Sequence, residues 1–450
     1  MKPRFVTDVR SQNSAADAPT PLSLLGSERP FTLTGSDMLD SRQLLRRAGA
    51  LAESLPSMPA ALNLCEHREN FLIGFLALLM RGQVCLMPPS RAPDVLVEVM
   101  QEIPGCYRLD DDMVARSRVE AGARYEVPAI PAERVVAIGY TSGSTGRPKA
   151  NPKTWGSFAA SARLNCARLR EVVASSHRGA LPWIVATVPS QHMYGMEMSV
   201  LMPLLGDMGI HGDCPFYPAD ISAALQDLPE PRVLVTTPVH LRTLVESGIE
   251  LPSVAAVVSA TAPLARELAR EVERRFGTTL LEFFGSTETC VIASRLTARE
   301  TAWQPYPGVM LLPEDDCTRV SAPWLAQSVL LQDVARIETD GRFIVSGRNT
   351  DMVEVGGKRA SLADLTRRML SVPGVSDAVV FQPGFGSDDI VKRLAALVVA
   401  EGLTEAQLTA TLATAMDPVF LPRPLVFVSK LPRNEVGKLP RDKLLAALRR

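Results

Sequence analysis

Short apolar runs and segments of helical spacing alternate along most of this chain. Ala60 to Cys65 and Val84 to Met87 are runs of strand length, the second ended by Pro88, and Glu69 to Leu79 between them has helical spacing. Helical spacing through Leu39, Leu44, Leu45 and Leu51 predicts a helix over 37–54. The middle repeats the alternation more clearly. Val135 to Ile138, Trp183 to Val188, Val233 to Thr237, Val254 to Ser259 and Thr279 to Phe284 read as strands. Helices are expected over Val239 to Ser247 and over Leu264 to Phe276, with Gly277 as the stop of the second. Apolar strands alternating with amphipathic helices imply right-handed crossovers and a largely parallel sheet. Ligands of such sheets lie beyond the carboxyl ends of the strands.

After about Val345 the texture changes. Short strands (Ala378 to Phe381, Leu394 to Val399, Pro424 to Val428) mix with helices (Ser361 to Leu370, Glu405 to Thr414). The pattern therefore predicts an α/β protein. A large N-terminal α/β region with largely parallel sheets, residues 1–347, precedes a small α+β C-terminal domain, residues 352–450. The segment Gly347-Arg-Asn-Thr-Asp351 is the boundary. Residues 1–30, rich in Ser, Pro, Ala and Asp, are expected to be loosely ordered.

Composition narrows the classes. The 450 residues suggest two or three domains and need no disulfide or metal staple. With 48 basic and 49 acidic side chains the net charge is −1, which argues against a general binder of nucleic acid or anionic membrane. The seven cysteines are scattered without a C-x-x-C, so neither a disulfide framework nor a zinc site is indicated. The start has no apolar core of a secretory signal. The longest apolar run, Phe71 to Met80, is too short to span a bilayer, so a cytoplasmic location is expected.

The most informative segment is Tyr140-Thr-Ser-Gly-Ser-Thr-Gly-Arg-Pro-Lys149, directly after an apolar strand. Glycines let the backbone approach an anion, N–H groups and hydroxyls donate to phosphate oxygens, and lysine neutralises charge. It is not a Walker loop, because Arg147 and Pro148 separate Gly146 from Lys149.

At this loop the sequence resembles the adenylate-forming ligase superfamily of acyl- and aryl-CoA synthetases, amino-acid adenylation domains and luciferase. Further segments are similar to that family's signatures, in its order: Ser259-Ala-Thr-Ala-Pro-Leu264, Phe283-Phe-Gly-Ser-Thr-Glu288, Asp333 followed by Asp340-Gly341 and Gly347-Arg348, and Leu431-Pro-Arg-Asn-Glu-Val-Gly-Lys438. The resemblance implies activation of a carboxylic acid with ATP, giving an acyl-adenylate and pyrophosphate, and then thioester formation. It implies that Lys438, Glu288 and Lys149 are catalytic and that Glu288 also binds Mg²⁺. ATP or AMP contacts fall to Thr141, Ser142, Gly143, Ser144, Thr145 and Gly146 of the phosphate loop and to Ala260, Thr261 and Ala262 on the adenine side. Phe284 would stack on adenine in place of the usual tyrosine, followed by Gly285, Ser286 and Thr287, with Asp333 and Arg348 at the ribose. Residues 348–351 correspond to a hinge about which the small domain moves, and Gly357, in Val355-Gly-Gly-Lys-Arg359, to the lining of the thiol's approach.

The acid and the acceptor are read from what is missing. Val188-Pro-Ser-Gln-His-Met-Tyr-Gly195 holds no aspartate, and the nearest acid is Glu197. An ammonium buried without a counter-ion is costly, which disfavours amino acids. The same segment resembles acyl- and aryl-acid ligases, in which the residue at His192 lines the pocket. The whole pattern most resembles short ligases of aryl-polyene and xanthomonadin-type pigment pathways, which load hydroxybenzoate-like aromatic carboxylic acids onto an acyl carrier protein. The chain has no carrier motif, so the carrier would be a separate protein. Residues 421–450 hold eight Lys/Arg against two Asp/Glu, which suits an acidic partner. Transfer to coenzyme A is the alternative, and a non-catalytic nucleotide-binding protein the least favoured reading.

Overall fold

The computed structural model describes residues 28–448 except 118, 120–128, 143–147, 175–179, 263, 315–316, 349–351, 384–392, 433–438 and 440. The first sheet contains β1 (Pro30–Thr34), β2 (Asp37–Asp40), β8 (Trp183–Ala186), β9 (Gly209–His211), β10 (Arg232–Thr236), β11 (Ala256–Ser259), β12 (Thr279–Ser286), β13 (Cys290–Arg295) and β14 (Gln304–Pro305). Their order is β14-β13-β12-β11-β10-β8-β9-β1-β2. Neighbours from β12 through β1 run parallel, and antiparallel pairs close both edges. The second sheet, order β5-β3-β4-β6-β7, comprises β3 (Ala60–Asn63), β4 (Val84–Met87), β5 (Tyr107–Leu109), β6 (Val135–Ser142) and β7 (Pro148–Thr154), parallel apart from the β6–β7 hairpin. Central strands such as β8, β10 and β11 are almost wholly apolar because helices cover both faces. One hydrophobic core spans both sheets, from Phe71 and Ala137 to Val235 and Val258.

The helix expected over 37–54 is shorter. Asp37–Asp40 pairs as β2, and α1 (Ser41–Ser54) starts behind Asp40. The Asp40 carboxylate accepts from Gln43 N at 2.7 Å while the Gln43 side chain accepts from Asp40 N at 2.8 Å. This capping box satisfies two orphan groups and sets the boundary inside a run whose spacing was helical. Three further helices matter below: α2 (Arg68–Arg81), α3 (Pro93–Glu102) and α4 (Trp155–Ala174). The last, twenty residues long, is not among the expected elements.

Between the sheets and the C-terminal part lie a three-stranded sheet, β15 (Met310–Pro313), β16 (Thr318–Ser321) and β17 (Val329–Leu331), and a hairpin of β18 (Asp333–Ile337) and β19 (Phe343–Arg348). The C-terminal part holds a hairpin, β20 (Met352–Val355) and β21 (Lys358–Ser361), helices α5 (Leu362–Leu370) and α6 (Glu405–Ala415), and the sheet β22 (Val375–Phe381), β23 (Ala395–Ala400) and β24 (Leu425–Phe427). They enclose a core of their own, with Val353, Leu365, Met369, Val380, Val398 and Leu408. The fold is thus a large α/β region with parallel sheets and a smaller C-terminal sheet domain. Among the described residues no helix is long and apolar enough to cross a membrane.

Candidate active site

The carboxyl ends of β6, β11 and β12 carry three of the segments singled out above. β6 runs on through Thr141 and Ser142, and the hairpin pairs Thr141 with Lys149 and Ser142 with Pro148. Gly143, Ser144, Thr145 and Gly146 lie outside the described residues; the Lys149 side chain is exposed. Across the gap between the sheets, Thr141 Oγ1 donates to Glu288 Oε1 at 3.3 Å, a contact 147 residues apart in sequence. Asn151 Nδ2 donates to Thr141 Oγ1 at 3.3 Å and to Lys149 O at 3.0 Å. The buried Lys153 ammonium donates to the backbone oxygen of Glu288 at 2.7 Å. Thr141, Asn151 and Lys153 of the β6–β7 hairpin and Glu288 are therefore linked by hydrogen bonds.

Glu288 sits in the turn between β12 and β13. Ser286 N donates to Thr289 Oγ1 at 3.1 Å, and Thr289 N to Ser286 Oγ at 3.2 Å. Gly285 is required there, since a Cβ would lie 2.2 Å from Cys290 O. The Thr287 methyl lies against Gly139 of β6, whose own Cβ would be 2.9 Å away. Among the described residues no group of three or more His, Cys, Asp or Glu could hold a metal. One half-buried carboxylate, bonded to Thr141, fits Mg²⁺, a hard cation that keeps most of its ligands as phosphate oxygens and water.

On the adenine side Ala260 is buried, Ala262 half-buried, and Thr261 is held at φ +80°, an unfavourable conformation for a β-branched residue. The half-buried Phe284 packs on Trp303 and Phe343, with ring centroids 5.2 and 5.6 Å away. Phe343 belongs to the β18–β19 hairpin, which starts at the buried Asp333 and ends at Arg348, and the register pairs these two residues. The aromatic cluster thus packs Phe284 on the turn end of the hairpin whose open end carries Asp333 and Arg348; the Arg348 side chain is not described.

His192 and the small domain meet at a cavity of about 430 Å³, lined among others by Arg91, His192, Lys358, Asp417 and Val419. Phe284 and Gly285 do not line it. Burial, reinforced by Lys358 and Arg91 and opposed by Asp417, lowers the His192 pKa to about 4, so the ring is neutral at pH 7. Lys358 Nζ pairs with Asp417 Oδ2 at 2.5 Å. Gly357, at φ +76°, faces the adenine-side loop: a Cβ there would lie 3.0 Å from Thr261 Oγ1. Lys438 lies outside the described residues.

The profile of the AMP-binding enzyme family matches residues 90–321, just over half of the chain. The chain belongs to that family. Within it, the 4-coumarate–CoA ligase of Cereibacter sphaeroides is 29% identical over 306 residues, 66% of this chain and 69% of that protein. The 3-hydroxybenzoate–CoA/4-hydroxybenzoate–CoA ligase of Thauera aromatica is 25% identical, covering 68% and 65%. Family and relatives together make this an AMP-forming acid–thiol ligase. The fold matches a double mutant of the o-succinylbenzoate CoA synthetase of Bacillus subtilis, bound with its product analogue OSB-NCoA. The TM-score is 0.77 at 18% identity, over 93% of this chain and 95% of that one. The same synthetase with the acyl-adenylate OSB-AMP matches at 0.63.

Several site-building residues of this AMP-binding enzyme are not among the sequence candidates. Asn151 and Lys153 are buried on alternate positions of β7 while Lys149, Ala150 and Pro152 are exposed. The period-two alternation of a strand was the available signal. Arg68, 1% exposed, left none. From the first turn of α2 it donates to Ala186 O at 2.8 Å, Val188 O at 3.0 Å, Ser190 Oγ at 3.0 Å and Ser199 Oγ, and so holds the chain leading into His192.

Proposed function

We propose that this ligase activates an aromatic carboxylic acid, of the hydroxybenzoate or hydroxycinnamate kind, and transfers it to coenzyme A. The acid's carboxylate oxygen bonds to the α-phosphorus of ATP and pyrophosphate leaves. The thiol sulfur then bonds to the acyl carbon, AMP leaves, and the thiol proton passes to solvent. The observation that carries the reading is the Thr141–Glu288 contact, which joins the phosphate loop to a carboxylate suited to Mg²⁺. In this reading Glu288 holds Mg²⁺, which when bound neutralises phosphate charge. Lys149 and the hydroxyls of the loop bind phosphate oxygens, Asp333 and Arg348 hold the ribose, and Phe284 offers its ring to adenine. Lys438 is the preorganised cation for the charge that builds between carboxylate and α-phosphate.

Residues 348–351 act as a hinge between 1–347 and 352–450, so that one small domain serves two half-reactions. Gly357 facing Thr261 supports reading the observed arrangement as the thiol-facing one, and the higher score against the complex holding a CoA product analogue agrees. Glu197 supports excluding amino acids. Its Oε1 already accepts from Ser161 Oγ at 2.6 Å and Val291 N at 3.0 Å, deep in the core. Coenzyme A is preferred over a carrier protein because the relatives named above are CoA ligases. The basic excess over 421–450 is the feature that favours a carrier, and the pigment-pathway likeness rests on sequence pattern alone.

ATP–pyrophosphate exchange across a panel of acids, followed by thioester formation with coenzyme A and with an acidic carrier protein, tests this. Exchange should be strongest with hydroxybenzoates or hydroxycinnamates, and coenzyme A should be acylated. Good exchange with an α-amino acid but none with aromatic acids would refute the substrate class. Acylation of the carrier alone would refute the acceptor.

A further inference from the structure

Outside the cleft, one contact ties the two domains by charge. Glu98 lies on α3 of the large region, with its side chain 30% exposed. Its Oε2 accepts from Arg368 NH2 of α5 at 3.0 Å, and its Oε1 lies 3.9 Å from Arg367 NH2. Arg368 is prepared for this contact from within the small domain. Its side chain is 8% exposed, its Nε donates to Asp364 Oδ2 at 3.0 Å, and its NH1 donates to Ala415 O at 2.8 Å. Two of the three guanidinium nitrogens are therefore spent on the small domain, and the third meets the carboxylate of the large one. An arginine fork held this way loses little freedom on accepting its last partner.

The contact leads on to the Gly357 loop. Ala415 closes α6, and two residues later Asp417 takes the Lys358 ammonium. Lys358 follows Gly357, which faces Thr261. Arg368 fixes the end of α6, that end places Asp417, and Asp417 holds the residue next to Gly357. A carboxylate on α3 is thus connected to the loop that faces the adenine side.

We propose that Glu98 is a positioning residue for the thiol-transfer half-reaction: it latches Arg368 and Arg367 when the small domain brings Gly357 against Thr261. This rests on the two-arrangement reading above and adds the group that biases it. When the domain turns away, Glu98 and the free edge of Arg368 return to water, so the pair contributes only to the arrangement seen here. Coupling energies of this kind shift an equilibrium by roughly 5–150-fold.

The test uses the full chain with Glu98→Gln and Glu98→Arg, both at a half-buried position of α3 and outside the substrate sites. Pyrophosphate exchange reports adenylate formation, and thioester formation from supplied acyl-adenylate and coenzyme A reports transfer. Glu98→Arg should slow transfer at least about fivefold with exchange unchanged or faster, and Glu98→Gln should fall between. Hydrogen–deuterium exchange without substrates should rise over 355–370 in Glu98→Arg. Equal loss in both half-reactions, unchanged transfer, or unchanged deuterium uptake over 355–370 each overturns the latch. Absence of exchange with every acid in the unaltered protein is a different failure, that of the ligase reading itself.

Discussion

Gly357 gives the sharpest quantitative test of the two-arrangement mechanism. The perturbations are Gly357→Ala and Gly357→Leu. Two costs arise. An L-residue at φ +76° costs about 1–2 kcal/mol. That strain belongs to the loop and is carried in either arrangement, so it lowers stability without discriminating between half-reactions. The second cost belongs only to the arrangement in which the loop faces Thr261. A new Cβ would stand 3.0 Å from Thr261 Oγ1, 3.7 Å from Thr261 Cβ and 3.9 Å from Thr237 Cγ2. For alanine this is mild overpacking, about 1 kcal/mol, and for leucine about 3 kcal/mol. At tenfold per ~1.4 kcal/mol, transfer should slow about fivefold for alanine and a hundredfold or more for leucine. The assay separates the steps: thioester released from supplied acyl-adenylate and coenzyme A by rapid quench, against pyrophosphate exchange. Exchange should be nearly unaffected in both variants. If leucine slowed the two steps equally, or left transfer intact, one fixed arrangement would serve both and the reasoning would fail.

Lys438→Ala should behave in the opposite sense, cutting pyrophosphate exchange by about 10²–10³ while still transferring a supplied adenylate; exchange at the unaltered rate removes Lys438 from the reaction. For His192, folded pKa about 4 against about 6.5 unfolded means that the unfolded chain binds more protons between those values, so stability falls as pH drops through that window. Urea titrations at pH 7.5 and 5 should show the unaltered protein losing up to about 2 kcal/mol more than His192→Gln, and parallel losses would contradict the burial of a neutral ring. Arg68→Met leaves the carbonyls of Ala186 and Val188 and the hydroxyls of Ser190 and Ser199 without their buried donor. It should cost about 3 kcal/mol or more of unfolding free energy, only partly restored by lysine, whose point charge cannot reach both sides; a loss under about 1 kcal/mol, within the ordinary range for a point substitution, would mean that water replaces the guanidinium.

The parallel strands were legible because burial on both faces leaves a run such as Val233 to Thr237 almost wholly apolar, and no other soluble element demands that. Gly277 was legible as a stop because it takes the left-handed conformation that ends its helix at Phe276. The segment Thr141 to Lys149 could be singled out as a candidate from its hydroxyls, glycines and lysine, whereas Glu288, Asp333 and Arg348 were singled out only through the family resemblance, since a lone carboxylate or arginine reads like any surface residue. α4 was not legible: its buried face mixes Ser157, Ser161, Asn165 and Cys166 with Phe158 and Leu169, so apolar periodicity is weak. Asp37–Asp40 was misread because pairing with β1 and the cap at Asp40 outweigh the leucine spacing.

What the tertiary structure alone decided are the meetings. Thr141 reaches Glu288 only because two sheets abut at their carboxyl ends, and Gly357 reaches Thr261 through the packing of the small domain on the large region. Arg68 and Glu98 are ordinary helix residues in sequence, one of which becomes the buried clamp of the His192 segment and the other the partner of Arg368. Local sequence specifies propensity and chemistry within a few residues. Contacts across 96 to 270 residues depend on how whole layers pack, and a single sequence carries no pairwise signal for that.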